Sequence, residues 1–111
     1  KYTFDECIAV NTLSKAYEEL SKTEIDCIVS DYTIKNNTCM SFLEEISNNT
    51  HYSDIPKIVY TGKKLCKTDR DTILNFANTI IKKKAGSYDT LTNTIISFFR
   101  KHNYNNSSLV E

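Results

Sequence analysis

The sequence predicts an α/β domain in which helices cover both faces of a mostly parallel sheet. Two features carry this prediction. Short apolar runs alternate along the chain with longer segments whose apolar residues recur at helical spacing. The short runs are apolar throughout instead of alternating with polar residues, as strands buried on both faces require. At 111 residues, the chain has the size of one domain.

The first third of the chain is predicted as strand, helix and strand. Residues 7–10, Cys-Ile-Ala-Val, form the first apolar run, and Asn11 ends it. Apolar residues at helical spacing follow, namely Leu13, Ala16, Tyr17 and Leu20. Residues 25–30 form the second run, which is rich in β-branched residues and stops at Asp31. This order predicts a helix that connects two parallel strands.

A turn, a short helix and a third strand are predicted next. Residues 35–38 are polar and predict the turn. The helix after it has one apolar face, made by Phe42, Leu43 and Ile46. Pro56 suits the first position of a strand, so we predict the third strand at residues 57–60, ending at Thr61.

The last third is predicted as helix, strand and helix. Thr68 with Asp71 three residues later predicts a helix capped by Thr68. The apolar side of that helix is predicted to consist of Ile73, Leu74, Phe76 and Ala77. Residues 79–81 form the fourth strand, which three lysines close. Ser87 is predicted to cap the last helix, whose apolar stripe consists of Leu91, Ile95, Phe98, Phe99 and His102.

Composition limits the classes of function. Lysine plus arginine equals aspartate plus glutamate at 14 each, so no basic excess points to nucleic acid as a partner. No apolar run is long enough to cross a bilayer, and the first residues lack the pattern of a signal peptide. The four cysteines show no C-x-x-C spacing and are read as reduced structural thiols, which predicts a cytoplasmic protein without direct membrane contact. The predicted domain spans residues 1–104, with a tail at residues 105–111.

A polar residue follows each predicted strand, at the sheet edge where ligands bind in such folds. These residues are Asn11, Asp31, Thr61 and one lysine of residues 82–84. A carboxylate can act as nucleophile toward a phosphoryl group, while an ammonium and a hydroxyl can bind the phosphoryl oxygens. Strands often end in polar residues simply because they end at the surface. Three complementary groups at adjacent strand ends nevertheless favour a functional site.

Three stretches of the sequence resemble the response-regulator receiver domains. Residues 25–31, Ile-Asp-Cys-Ile-Val-Ser-Asp, resemble the phosphoacceptor strand of that family. Residues 55–63, Ile-Pro-Lys-Ile-Val-Tyr-Thr-Gly-Lys, resemble its switch-threonine strand, and residues 80–83 resemble its lysine strand. The resemblance covers about residues 7–102, and it is greatest to the C-terminal receiver modules of hybrid sensor histidine kinases. It implies a flavodoxin-like fold, a three-layer sandwich built on a parallel sheet.

The resemblance also implies roles for individual residues. Asp31 would accept a phosphoryl group from a histidine, Thr61 would reorient toward that group as a switch, and Lys83 would pair with it. Lys82 is the rival for the lysine role, because a shift of one residue in strand register exchanges the two. Asp31 and the backbone carbonyl of Thr33 would bind Mg²⁺, an ion that prefers oxygen ligands. The implied partner is a histidine kinase or a histidine phosphotransfer domain.

The sequence departs from the family's pattern at two places. The strand at residues 7–10 matches the family's second strand, so the first strand, the first helix and the acidic Mg²⁺-binding pair are expected to be missing from this chain. The chain is then either a fragment of a longer receiver or a degenerate domain. Asp5 and Glu6 would lie at the opposite edge of the sheet and cannot replace that pair, so Mg²⁺ binding is expected to be weak. Lys35 and Cys39 stand where the family usually has Pro and Gly.

Two functions stay open on the sequence alone. The first is a phosphoacceptor receiver in a two-component phosphorelay, part of a hybrid histidine kinase, which mediates phosphoryl transfer to Asp31 and thereby switches partner binding. The alternative is a degenerate receiver that docks a partner without being phosphorylated. An independent small enzyme has little support, since the sequence contains no Gly-rich phosphate loop. Pairing with a second copy of the chain, as a dimer or by strand exchange, also stays open.

Overall fold

The computed structural model describes residues 12–22, 24–34 and 37–110, with side chains described as far as residue 98 except at positions 34 and 37. Its helices and strands are, in chain order, α1 (Leu13–Lys22), β1 (Ile28–Ser30), β2 (Thr33–Ile34), β3 (Asn37–Thr38), α2 (Met40–Ser47), β4 (Lys57–Thr61), α3 (Lys67–Leu74), β5 (Thr79–Lys82) and α4 (Ser87–Val110). The predicted order of strands and helices is confirmed from α1 onward, except that two short strands, β2 and β3, lie between β1 and α2. The first predicted strand, at residues 7–10, lies outside the described residues.

Strands β1, β4 and β5 form a parallel sheet with β4 in the middle. In its register, Ser30 lies beside Val59 and Thr61 lies beside Lys82. Because the strands run parallel, their carboxyl ends meet at one edge of the sheet. Three parallel strands and four described helices fit the flavodoxin-like α/β fold that the sequence predicts.

The central strand β4 is buried on both faces. Val59 is fully buried and belongs to the main core cluster, which also contains Leu20 of α1, Phe42, Leu43 and Ile46 of α2, and Ile73 of α3. Ile58 points to the opposite face, as strand neighbours do, and it is fully buried as well. The unbroken apolar run of this strand is therefore explained by burial on two sides.

The two outer strands of the described sheet are less buried than their apolar runs predict. Val29 in β1 is 42% exposed, and the residues of β5 are half-buried or exposed. Within the described sheet each outer strand has a hydrogen-bonded neighbour on one side only, so more of its surface meets solvent.

The structure corrects two predicted helix starts. Helix α3 begins at Lys67, so Thr68 lies inside its first turn, and Cys66 takes the cap position without a side-chain cap hydrogen bond. Ser87 is the first residue of α4 instead of its cap, and its Oγ accepts a hydrogen bond from the backbone N–H of Lys84 at 3.0 Å. Short polar side chains bond to turn groups as readily as to helix N–H groups, so the pattern alone does not separate the two.

The predicted apolar side of α3 is wrong for one residue. Ile73 is fully buried and Ala77 is 7% exposed, but Leu74 is 45% exposed. Consecutive helix residues point about 100° apart, and at the end of α3 this turns Ile73 toward the core and Leu74 toward solvent. The helix ends at Leu74, and the backbone N–H groups of Phe76 and Ala77 both donate to the Ile73 carbonyl, at 2.9 and 2.8 Å.

The turn predicted at residues 35–38 belongs to a small hairpin. Strands β2 and β3 pair antiparallel, with Thr33 beside Thr38, while the residues that connect them lie outside the described part of the chain. At the base of the hairpin, the backbone N–H of Cys39 donates to the Tyr32 carbonyl at 2.7 Å. The hairpin thus begins one residue beyond Asp31.

Helix α4 extends to Val110 and so passes residue 104, where the sequence predicts the domain to end. The boundary between domain and tail stays a prediction. None of the described helices has both the length and the apolar character that a membrane span needs.

A buried lysine at the start of β4 is not anticipated by the sequence pattern. Lys57 is only 2% exposed. Its Nζ donates to the backbone carbonyls of Ile55 at 2.8 Å, Ser53 at 3.3 Å and Tyr52 at 3.5 Å. Burial lowers the pKa of Lys57, although the nearby charge of Asp54 acts in the opposite direction. The ammonium therefore ties the loop before β4 to the strand.

Three cysteines lie within the described residues, and all are free thiols: Cys27, Cys39 and Cys66. Burial raises the pKa of Cys27 and of Cys39 to about 11 in each case, and the charge of Asp26 adds to the effect at Cys27. Thiols with raised pKa values are poor nucleophiles, which agrees with a structural role for these two. Cys66 is exposed at the start of α3.

Candidate functional site

Three side chains of complementary chemistry meet at the carboxyl edge of the sheet. Asp31 follows β1, Thr61 is the last residue of β4, and Lys83 follows β5. The sheet register brings these ends together, because Thr61 lies beside Lys82 and the backbone N–H of Lys83 donates to the Thr61 carbonyl at 2.9 Å. The structure thus brings together the three residues that the strand-end argument singles out.

The closest contact in this group is an ion pair. Lys83 Nζ donates to Asp31 Oδ2 at 2.8 Å, which is a short charge-assisted hydrogen bond. The two side chains are 45% and 40% exposed, so solvent screens the pair and leaves one side of it accessible to a ligand. The two residues are 52 positions apart in the chain, so the contact depends on the sheet alone.

Several opposing effects set the pKa of Asp31. Partial burial acts to raise it, but hydrogen bonds from Lys83 and Thr61, the positive charge of Lys83 and a backbone hydrogen bond from Tyr32 together outweigh burial. The pKa of the Asp31 carboxyl is therefore lowered below its usual range. Asp31 is consequently a carboxylate at neutral pH.

Thr61 is held in place by its own loop. The residue is 2% exposed, and its Oγ1 accepts a hydrogen bond from the backbone N–H of Lys63 at 3.2 Å. Accepting this bond leaves the hydroxyl hydrogen of Thr61 free to donate, and the hydroxyl is one of the groups that lower the pKa of Asp31. The hydroxyl thus connects the carboxylate to the loop that follows β4.

Of the two rival lysines, Lys83 is the one that contacts Asp31. Lys82 and Lys83 are both exposed, but successive residues of an extended chain point to opposite sides, so only one can face the Asp31 carboxylate. The Nζ of Lys83 occupies that place. This geometry favours the assignment of Lys83, while its role in phosphoryl chemistry stays a prediction.

Two tyrosine rings support lysines around the site, and sequence reasoning missed both. Lys63 Nζ lies 5.1 Å from the ring centroid of Tyr32, and Lys83 Nζ lies 5.4 Å from that of Tyr60. Both distances fall within the range of cation–π attraction. Each tyrosine is a direct chain neighbour of a predicted site residue, since Tyr32 follows Asp31 and Tyr60 precedes Thr61. The position of each tyrosine next to a predicted site residue is the sequence feature that could have pointed to them.

The described residues do not by themselves fit a Mg²⁺ site. Asp31 already bonds Lys83 through Oδ2, and Thr33, the second predicted ligand, lies in β2 with its backbone beside Thr38. Within residues 12–22, 24–34 and 37–110, no group of three or more His, Cys, Asp or Glu side chains could hold an ion. Asn11, the first strand-end residue, lies outside these ranges. Mg²⁺ binding stays a prediction.

The arrangement can bind an anionic group beside a nucleophile. The Asp31 carboxylate is ionised, partly exposed and hydrogen-bonded, and the Lys83 ammonium next to it carries donors for oxygen atoms of a bound group. The Thr61 hydroxyl adds a neutral donor on the same side. A tetrahedral or planar oxyanion that approached Asp31 would therefore meet two donors held by adjacent strands.

Comparison with known proteins supports the fold. No protein-family model matches the sequence, and no curated protein matches it. Among solved structures, the chain is similar to the crystal structure of the N-terminal domain of a response regulator receiver protein from Methanoculleus marisnigri JR1. The TM-score is 0.61 and the identity 22%, and the match covers 79% of this chain and 71% of that chain. At this identity the similarity establishes the fold and leaves the roles of individual residues as proposals.

Proposed function

We propose that the chain is a phosphoacceptor receiver domain of a two-component phosphorelay, in which Asp31 takes a phosphoryl group from a histidine. The observation that supports this most directly is the 2.8 Å contact between Lys83 Nζ and Asp31 Oδ2, with Thr61 beside them. A carboxylate acceptor, an ammonium and a hydroxyl are the protein groups that such a transfer uses, because catalysis rests on positioning and on charge stabilisation.

In the proposed reaction, a carboxylate oxygen of Asp31 attacks the phosphorus of a phosphohistidine. The new bond joins that oxygen to phosphorus as the bond from phosphorus to the imidazole nitrogen breaks, and the imidazole leaves with the electron pair of the broken bond. The attacking group is ionised at neutral pH, as an aspartate with a lowered pKa must be. Lys83 and Thr61 then stabilise the phosphoryl oxygens.

The proposed partners follow from this reaction. A histidine kinase or a histidine phosphotransfer domain supplies the phosphoryl group, and the added charge on Asp31 switches which partner binds. We propose more narrowly that the chain is a receiver module of a hybrid histidine kinase, a proposal that the sequence resemblance supports, and that it acts in the cytoplasm. The domain itself takes part in one transfer to its own aspartate instead of turning over a substrate.

Phosphorylation of Asp31 is tested by intact-mass spectrometry after incubation with a small phosphodonor, phosphoramidate, in the presence of Mg²⁺. We expect wild type to gain a phosphoryl group only weakly, because no group of three or more His, Cys, Asp or Glu side chains in the described residues could hold the metal. Asp31→Asn is expected to gain none. Asp26→Asn is the matched control, since Asp26 is an exposed aspartate close by in sequence that lies before β1 instead of after it.

The outcome decides between the two functions. Label on wild type and on Asp26→Asn, but not on Asp31→Asn, supports the acceptor role. If wild type gains no label, or if Asp31→Asn gains as much as wild type, a degenerate receiver that docks a partner without phosphorylation replaces this proposal. The feature that favours that second function is the departure of the sequence from the family's pattern, in which the acidic Mg²⁺-binding pair is expected to be missing.

A further inference from the structure

The ammonium of Lys83 lies between two groups, and only one of them is the predicted acceptor. Its Nζ is 2.8 Å from Asp31 Oδ2 and 5.4 Å from the ring centroid of Tyr60. A lysine side chain has four rotatable carbon–carbon bonds and loses conformational entropy when its end is fixed. A ring face behind the ammonium reduces the positions that the charge can take, and it does so without competing for the hydrogen bond to the carboxylate.

The ring of Tyr60 is itself anchored at its far end. Its hydroxyl lies 2.9 Å from Ser87 Oγ, a hydrogen-bond distance at which either oxygen can donate. Ser87 is 4% exposed and begins α4, and its Oγ also accepts a hydrogen bond from the backbone N–H of Lys84 at 3.0 Å. A ring held at its hydroxyl by a buried side chain has little freedom to turn away from Lys83.

We propose that Tyr60 is a positioning residue for Lys83: its ring face holds the ammonium at Asp31, and the hydrogen bond to Ser87 fixes the ring to the first turn of α4. The inference rests on the proposed function in one respect, because Lys83 needs positioning only if its ammonium binds the phosphoryl group. The arrangement itself belongs to the resting chain and can be measured there.

The experiment measures the pKa of the Asp31 carboxyl by NMR titration of its side-chain carbon in the full chain without phosphodonor. Tyr60→Leu removes ring and hydroxyl, Tyr60→Phe keeps the ring, and Ser87→Ala releases the hydroxyl. Tyr88→Leu is the matched control, because Tyr88 is the next residue after Ser87 and is 71% exposed. We expect Tyr60→Leu to raise the Asp31 pKa by about 0.1 to 0.4 of a pH unit, because the ring acts only through Lys83 and its loss costs a part of the ion-pair contribution.

Tyr60→Phe keeps the ring, so its Asp31 pKa is expected to stay close to the wild-type value. Ser87→Ala is expected to raise the Asp31 pKa by less than Tyr60→Leu does. Tyr88→Leu is expected to leave the Asp31 pKa at the wild-type value. The proposal is overturned if Tyr60→Leu leaves the pKa unchanged, if Tyr60→Phe shifts it as far as Tyr60→Leu does, or if Tyr88→Leu shifts it equally. If Tyr60→Leu does not fold, an NMR measurement on wild type alone tests the proposal. In wild type, the protons next to Lys83 Nζ should show an upfield ring-current shift, and random-coil values would overturn the proposal.

These measurements separate the inference from the function on which it rests. A chain that shows the expected pKa pattern but takes up no phosphoryl group retains Tyr60 as the positioning residue of the ion pair and loses the phosphoacceptor role. A chain that is phosphorylated on Asp31 but shows no effect of Tyr60→Leu retains the function and loses the positioning role.

Discussion

Replacing Lys83 with methionine removes the ammonium that pairs with Asp31 and keeps a side chain of similar length. The pair is a hydrogen-bonded contact of 2.8 Å, but its side chains are 45% and 40% exposed. Pairs with this much solvent access contribute about 0.2 to 1 kcal/mol. Since one pKa unit corresponds to about 1.4 kcal/mol, Lys83→Met is expected to raise the Asp31 pKa by about 0.15 to 0.7 of a unit.

The direction of the pH dependence follows from the lowered pKa of Asp31. A carboxyl whose pKa is lower in the folded than in the unfolded chain stabilises the fold at pH values above the unfolded pKa, and this contribution is lost as pH falls through the folded pKa. Wild type should therefore exceed Lys83→Met in free energy of unfolding by about 0.2 to 1 kcal/mol at pH 7. The difference should disappear in acid, once Asp31 is protonated in both proteins.

Urea unfolding at several pH values and NMR titration of Asp31 measure the two quantities. Lys82→Met is the control, because Lys82 is the neighbouring exposed lysine and would be the partner of Asp31 if the register were shifted by one residue. Equal pKa shifts in the two variants, or a shift in Lys82→Met alone, would show that the assigned ion pair is wrong. A stability difference that persists after Asp31 is protonated would refute the electrostatic explanation.

Two further predictions concern the core and the thiols. Ile73→Ala should lower the free energy of unfolding by about 2 to 5 kcal/mol because Ile73 is fully buried, whereas Leu74→Ala should lower it far less because Leu74 is 45% exposed. Urea unfolding of both variants measures the two losses, and equal losses would contradict the placement of α3. Among the described thiols, the exposed Cys66 should react first with iodoacetamide at neutral pH. Cys39 should react much more slowly, since it is fully buried and its pKa is raised to about 11. Peptide mass spectrometry at early times measures the order of modification, and faster modification of Cys39 would contradict this prediction.

The positions of the site residues could be predicted from the sequence because strand ends are marked by composition. Apolar runs that stop at Asp31 and Thr61 give the carboxyl ends of β1 and β4, and parallel strands bring such ends to one edge. The sequence does not single out one lysine, because residues 82–84 are all lysine. Register decided it, since the structure ends β5 at Lys82 and turns Lys83 toward Asp31.

Contacts that depend on three-dimensional packing could not be predicted. The buried ammonium of Lys57 reads in the sequence as an ordinary charged residue, and its three carbonyl partners are provided by the shape of the loop before β4. Ser87 was predicted as a helix cap because of its position before an apolar stripe. Its partners are instead a turn N–H and the hydroxyl of Tyr60, a residue 27 positions away.

The resting charge balance of the site bears on how a signal would leave it. Asp31 and Lys83 compensate one another. Phosphorylation would replace the Asp31 carboxylate, of charge −1, by an acyl phosphate of about −1.5 to −2 near neutral pH, so the site would gain about −0.5 to −1 charge that the existing pair does not offset. Lys63 is a second lysine near the site. Its ammonium lies over the Tyr32 ring, and its backbone N–H donates to Thr61 Oγ1. The added charge would draw both lysines and the Thr61 hydroxyl toward Asp31. Because Thr61 and Lys63 belong to β4 and the loop after it, this loop is the segment that the proposed phosphorylation would move first.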